Sequence, residues 1–160
     1  MLVVADSSPL IVLVNIAHID VLPKLFGHIV IPPAVDRELL NNRRPELVRN
    51  YFSNKPAWLT VQSPVNARPI PQLHQGEIEA LSLAIELKAD LLLVDERKAY
   101  QQAIARKINS IGTVRVLERA AIEVLLDLHS AFEKLKQTDF WISHDLLDTT
   151  LKLHRQHKQP

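Results

Sequence analysis

Two unbroken apolar runs in this chain end in aspartate, and each aspartate leads into an apparent helix start. Leu2-Val3-Val4-Ala5 stops at Asp6, and Leu91-Leu92-Leu93-Val94 stops at Asp95. A short run without polar alternation is the pattern of a strand covered on both faces, as in a parallel sheet. Ligands of open α/β sheets bind beyond the carboxyl ends of the strands, so two acids placed there are candidates for one shared site.

The same alternation runs through the chain. Ser8 as N-cap and Pro9 at the first helical position open a helix with a stripe of Leu10, Leu13, Val14 and Ala17. Val21–Phe26 reads as a short helix stopped by Gly27, and His28–Ile31 as a strand closed by Pro32-Pro33. Helices over Ala34–Leu40 and about Pro45–Ser53 lead to a strand at Trp58–Val61. Residues 63–75 hold three prolines and little periodicity, and read as a loop. Glu77–Lys88 is an amphipathic helix, Leu91–Val94 a strand, Arg97–Lys107 a helix and Ile108–Ile111 a short fifth strand. Helices over Thr113–Leu126 and His129–Gln137 precede an extended Asp139–Ile142, after which Ser143 caps a last helix to about His154. The expectation is one α/β domain over residues 1–154: three layers, with a central, mostly parallel sheet of four to five strands flanked by helices. Residues 155–160 read as a polar tail.

Composition narrows the chemistry. The 160 residues carry a net charge of +1, which argues against a strongly basic nucleic-acid coat but leaves room for a local basic face. With no cysteine there is no thiol nucleophile, disulfide or thiolate metal site. With three glycines, Gly27, Gly76 and Gly112, no Gly-rich phosphate loop can be built. No apolar run approaches the ~20 residues of a membrane span, and no basic leader precedes Leu2, so a cytoplasmic protein without membrane contact is expected.

Each acid has an ordinary explanation. Asp6 and Asp95 stand where helix caps stand. Glu77 and Glu79 fall in a helix first turn, where acids suit the dipole, and Glu96 does the same after Asp95. Glu38 sits beside Asp36 and Arg37, as on a solvated face. The combination changes the weighing. Strand ends of a parallel sheet converge, so Asp6, Asp95 and Glu77 can share a pocket that Glu38 reaches from its own helix. Four carboxylates repel unless a cation cancels their charge, and hard oxygen ligands suit Mg²⁺ or Mn²⁺.

Other residues weigh less. The seven histidines show no HExxH-type pair and read as surface or satisfied residues. Arg43-Arg44, Lys98, Arg106-Lys107 and Arg115 are candidates for a phosphate-binding rim, with a solvated face equally good. Phe26, Trp58, Phe140 and Trp141 read as core rather than base-stacking platforms. Val48, Tyr51 and Phe52 read equally well as a dimer face or as core. Ser7-Ser8 lacks a nucleophile elbow, and Asp6 lacks the D-x-D pattern of many small-molecule phosphohydrolases.

Several blocks together carry a resemblance: Val4-Ala5-Asp6-Ser7-Ser8-Pro9-Leu10-Ile11, then Ile31-Pro32-Pro33-Ala34-Val35 leading to Glu38-Leu39, then Gly76-Glu77-Ile78-Glu79-Ala80-Leu81. Leu92-Leu93-Val94-Asp95-Glu96-Arg97, Ile111-Gly112-Thr113 and Phe140-Trp141-Ile142-Ser143 come next, in that order. The sequence resembles PIN-domain proteins, and more closely a prokaryotic PIN-like family long catalogued as a domain of unknown function. The resemblance implies a three-layer PIN-like fold and an Mg²⁺- or Mn²⁺-dependent ribonuclease that cleaves RNA through Asp6, Glu38, Glu77 and Asp95. Ser8, Glu79 and Glu96 would support those acids. Kinship with toxin–antitoxin ribonucleases implies a small antitoxin-like inhibitor and a homodimer. Glu77 stands where many PIN domains have aspartate, and Val114-Arg115 where Leu-Gly is common. The alternative is a catalytically inactive PIN-like module that binds RNA or protein.

Overall fold

The structure is a computed structural model, and it describes residues 1–158. Five strands, β1 (Val3–Ala5), β2 (Ile29–Ile31), β3 (Leu59–Val61), β4 (Leu91–Leu93) and β5 (Ser110–Ile111), form one sheet in the order β3-β2-β1-β4-β5. Every pairing is parallel. All residues of β1, β2 and β4 are buried. Successive strand side chains point to opposite faces, so both faces are covered and the molecule has three layers. The edge strand β3 exposes Thr60 instead.

The strand order places the acids. The chain builds outward from β1 through β2 to β3, then returns to β4 beside β1 and builds the other way. The order therefore reverses between β1 and β4, which is where an α/β sheet opens a crevice at its carboxyl edge. Ala5 pairs with Leu93, and the Asp6 amide donates to Leu93 O at 2.9 Å. Asp6 and Asp95 thus leave adjacent central strands at the same edge.

Helices α1 (Ser7–Asn15), α2 (Val21–Phe26), α3 (Pro33–Leu39) and α4 (Glu46–Ser53) belong to the first half, and α5 (Gln75–Glu86) and α6 (Arg97–Ala105) flank β4 in sequence. The last part adds α7 (Thr113–Ile122), α8 (Leu128–Lys136) and α9 (His144–Lys158). Helix α5 packs across β1 and β4 and against α3, which brings Glu38 toward the sheet edge. Helix α1 packs against α3, α4 and α7. Val48 and Phe52 are fully buried, and Tyr51 packs edge-on to Phe52, so this group is core rather than a dimer face.

Several boundaries differ from the sequence reading. Helix α1 begins at Ser7 with Asp6 at the N-cap, so Ser8 is not the cap and Pro9 stands in the first turn. Helix α5 begins at Gln75, not Glu77. Helices α5, α6 and α7 stop short of the expected Lys88, Lys107 and Leu126. Their ends share one cause. Lys88, Lys107 and Val124 adopt positive φ of 51°, 59° and 58°, as Ala17 does at 59° after α1. At each, the amide donates back to a helix carbonyl and the next amide closes onto the residue five before it, as Leu125 does onto Ala120 at 2.8 Å. This is the Schellman closure, made here without the usual glycine. Helix α9 runs to Lys158, past the expected stop at His154, so the first residues of the expected tail are helical. Gln159 and Pro160 lie outside the described residues.

Candidate active site

A cavity of about 1090 Å³ opens at the carboxyl edge of the sheet, and Asp6, Glu38, Glu77 and Asp95 all line it. The four acids reach one cavity from different elements: two at strand ends, one from α3 and one from the first turn of α5.

Asp6 is the most constrained. It occupies the N-cap of α1 yet makes no side-chain cap hydrogen bond. It is 4% exposed, and its Oδ1 is buried without a hydrogen-bond partner. Capping therefore does not explain this residue. Burial pushes its carboxyl up to about 7. The Ser7 amide opposes that rise, and the charges of Glu38, Glu77 and Asp95 add to it.

Asp95 is half-buried and well held. Thr113 donates to it twice, from its amide to Oδ1 and its hydroxyl to Oδ2, each at 2.7 Å. Ser8 Oγ donates to Oδ2 at 3.1 Å. Burial raises the Asp95 carboxyl and these three donors partly offset the rise. Glu96, not Asp95, is the N-cap of α6, so the capping explanation fails here as well.

Glu38 accepts a short hydrogen bond from the Ser7 hydroxyl. Its backbone carbonyl is held by Arg44 Nε at 3.2 Å. Glu77 keeps part of its ordinary role: Oε2 accepts the His74 amide at 2.9 Å, closing a capping interaction at the start of α5. Burial raises its carboxyl too, against the pull of His74 and with the help of the Glu96 and Glu38 charges.

Two glycines make room for these carboxylates. A Cβ at Gly76 would fall into the Glu38 carboxyl group. A Cβ at Gly112 would stand 2.7 Å from Asp95 Oδ1, closer than real Cβ atoms come. Sequence reasoning singles out neither glycine as a site position, nor Thr113, whose hydroxyl is the clearest support of Asp95. Gly112-Thr113 directly after a strand is the signal that could have found them.

Among the supporting residues, Ser8 and Glu96 line the cavity, whereas Glu79 does not. Glu79 is 9% exposed, with Arg37 3.9 Å from its Oε2, and belongs to the α3–α5 contact. Of the proposed basic rim, Arg44 and Arg115 line the cavity and are joined by Arg97, which the sequence does not single out. Arg43, Lys98, Arg106 and Lys107 are not among the lining residues. Trp141 corrects the sequence reading outright. It is 91% exposed at the cavity and is not core.

The donor set suits a hard divalent cation: carboxylate oxygens only, with one buried oxygen unpartnered and three raised carboxyls. Among the described residues, no three His, Asp or Glu side chains already stand in a ligating cluster. The fit therefore rests on the orphaned Asp6 oxygen and on donor chemistry.

A family model described as PIN domain, DUF3368, matches residues 2–156. The chain belongs to the PIN domain family. PIN domains are generally nucleases and typically use divalent metals. Among solved structures, the PIN fold here is similar to a PilT N-terminus domain protein, SSO1118, from the hyperthermophilic archaeon Sulfolobus solfataricus P2. The two share 18% identity at a TM-score of 0.55, over 75% of this chain and 93% of that one. At that identity the likeness shows the fold alone. No curated protein matches the chain.

Proposed function

We propose that this PIN domain is an Mg²⁺- or Mn²⁺-dependent ribonuclease. The observation that carries the reading is the buried, unpartnered Oδ1 of Asp6, at the point where the strand order reverses, in a residue that lines one cavity together with three further carboxylates. A carboxylate left in that condition is costly unless something binds it.

Asp6, Glu38, Glu77 and Asp95 would hold the metal. The bound ion would supply charge neutralisation for a phosphodiester and an acidified water for in-line attack. The remaining work belongs to the chain. Thr113 and Ser8 fix the Asp95 carboxylate from two sides, and Ser7 fixes Glu38. The His74 amide holds one oxygen of Glu77, and no protein hydrogen bond is made to the other among the described residues. Glutamate at 77, longer by a methylene than aspartate, bridges back to its own helix start. Arg97 and Arg115 at the rim would engage backbone phosphates of the RNA.

The test is incubation of the purified protein with a mixed RNA pool in Mn²⁺ and in chelator, beside Asp6→Asn. Cleavage in Mn²⁺ that chelator and Asp6→Asn both abolish is the expected result. Equal cleavage by Asp6→Asn overturns the site. By kinship we further propose a small antitoxin-like inhibitor and a homodimer, tested by co-purification with the neighbouring gene product and by light scattering. The non-catalytic module is favoured by one observation, the absence of a ready-made ligating cluster among the described residues. A chain that binds RNA and cuts none in any metal would establish it.

A further inference from the structure

We propose that Trp141 is the nucleobase-stacking residue of this site: it would hold one unpaired base beside the carboxylates and so position the phosphate to be cut. The proposal deepens the nuclease reading and rests on it for the identity of the ligand.

The local structure shows why the indole stands out. Residues 140–143 form an irregular segment between α8 and α9. Phe140 and Ile142 pack against the hydrophobic core, while Trp141 between them is 91% exposed. With both neighbours anchored on the core, the indole between them is left facing solvent. Both ends of the segment are tied. The Phe140 amide donates to Thr138 Oγ1 at 3.2 Å, and Thr138 Oγ1 donates to Leu135 O at 2.7 Å. Beyond it, the Ser143 hydroxyl accepts the Leu146 amide at 3.3 Å, capping α9. The indole is therefore presented from a pinned segment, not from a loose tail.

Its neighbourhood selects the ligand. Trp141 lines the same cavity as Asp6 and Asp95, which excludes a remote surface role. Arg97 and Arg115 line it too; Arg115 pairs with Glu118 at 3.1 Å, and Arg97 forms no ion pair among the described residues. A flat aromatic face, cationic side chains and a carboxylate cluster in one cleft match the three parts of a nucleotide chain: base, phosphate backbone and scissile bond. Stacking on an aromatic is sequence-tolerant, because every base has a π face. The other rings among its described lining residues are Phe140, half-buried against the core, and the smaller imidazole of the exposed His74, so the indole offers the broadest stacking face.

The experiment uses the full chain and a short RNA in which single nucleotides are replaced by abasic sites. Binding is followed by tryptophan fluorescence with Trp141 and the half-buried Trp58 as the two emitters, and cleavage is followed in Mn²⁺. The parent is expected to show quenching on binding, and Trp141→Ala to lose that quenching. Trp141→Ala should raise KM roughly five- to a hundredfold with little change in kcat, and Trp141→Phe should recover most of the loss. One abasic position should weaken the parent and leave Trp141→Ala unaffected. If Trp141→Ala equals the parent in KM, quenching and abasic sensitivity, the proposal is wrong and the exposed indole serves a protein contact instead. Should the parent cut no RNA, quenching with the abasic-sensitive pattern still supports stacking while the nuclease reading fails; no quenching removes both.

Discussion

Thr113 grips Asp95 with both its amide and its hydroxyl, each at 2.7 Å. The residue opens α7, while the acid it holds ends the β4 segment, so the relationship ties the last helical layer to the centre of the sheet. Thr113 is fully buried, and its hydroxyl has this carboxylate as its partner. Thr113→Val keeps the shape and removes the donor. The cost to stability is about 1–3 kcal/mol. Activity should fall roughly ten- to a hundredfold, as for other residues that orient metal-binding groups. Thermal unfolding and RNA cleavage rates on the same samples check both figures.

Gly76 and Gly112 separate packing from chemistry. Gly76 lies in the first turn of α5, where alanine is worth up to ~1 kcal/mol in intrinsic propensity. The group its Cβ would strike is the far end of the Glu38 side chain, which can swing away. Gly76→Ala should therefore leave Tm within a few degrees of the parent and lower cleavage at least tenfold. Gly112→Ala should lower both, because Asp95 is held by three hydrogen bonds and cannot yield as easily. Equal activity in Gly76→Ala would show that the position of Glu38 is irrelevant to turnover.

The raised carboxyls make the metal-free protein sensitive to pH. In the folded chain Asp6 titrates at about 7, against an ordinary value of 3.8. Between those values the folded state holds a proton that the unfolded state has released. Stability is therefore highest at the acid end and falls as pH rises through that window, by on the order of a few kcal/mol. Asp95 and Glu77 shift in the same direction and add to the loss. Metal-free Tm should be lower at pH 8 than at pH 5 by about 5–10 °C. Added Mn²⁺ should restore most of that loss at pH 8 and do little at pH 5, where protons occupy the site. A flat Tm profile would contradict the raised carboxyls.

Val124 gives a prediction remote from the site. It adopts φ of 58° after α7 and is 81% exposed, a conformation poor for a β-branched residue. Val124→Gly should raise stability by about 1 kcal/mol with unchanged cleavage, measured by denaturant unfolding. A loss of stability would show that Val124 makes contacts that outweigh its backbone strain.

The Schellman closures also explain what the sequence can and cannot disclose. Strands are legible because β1, β2 and β4 are buried on both faces and read as bare apolar runs. Helix ends are not, because Ala17, Lys88, Lys107 and Val124 occupy positions where glycine is the usual signal. The convergence of Asp6 and Asp95 follows from strand ends alone, but the reversal between β1 and β4 needs the pairing itself. Glu38 can be nominated yet not placed, since its approach to Gly76 depends on how α3 packs on α5. Trp141 reads wrongly as core because an indole is ordinarily worth burying. Only the anchoring of Phe140 and Ile142 on either side turns it outward.

On the proposed reading, Oδ1 of Asp6 has no partner among the described residues because its partner is a divalent cation. Calorimetric titration of Mn²⁺ at pH 7.5 into the parent and into Asp6→Asn measures this directly. The expected result is saturable binding in the parent and at least a tenfold loss of affinity in a variant that remains folded. Equal Mn²⁺ affinity in the two proteins would contradict it.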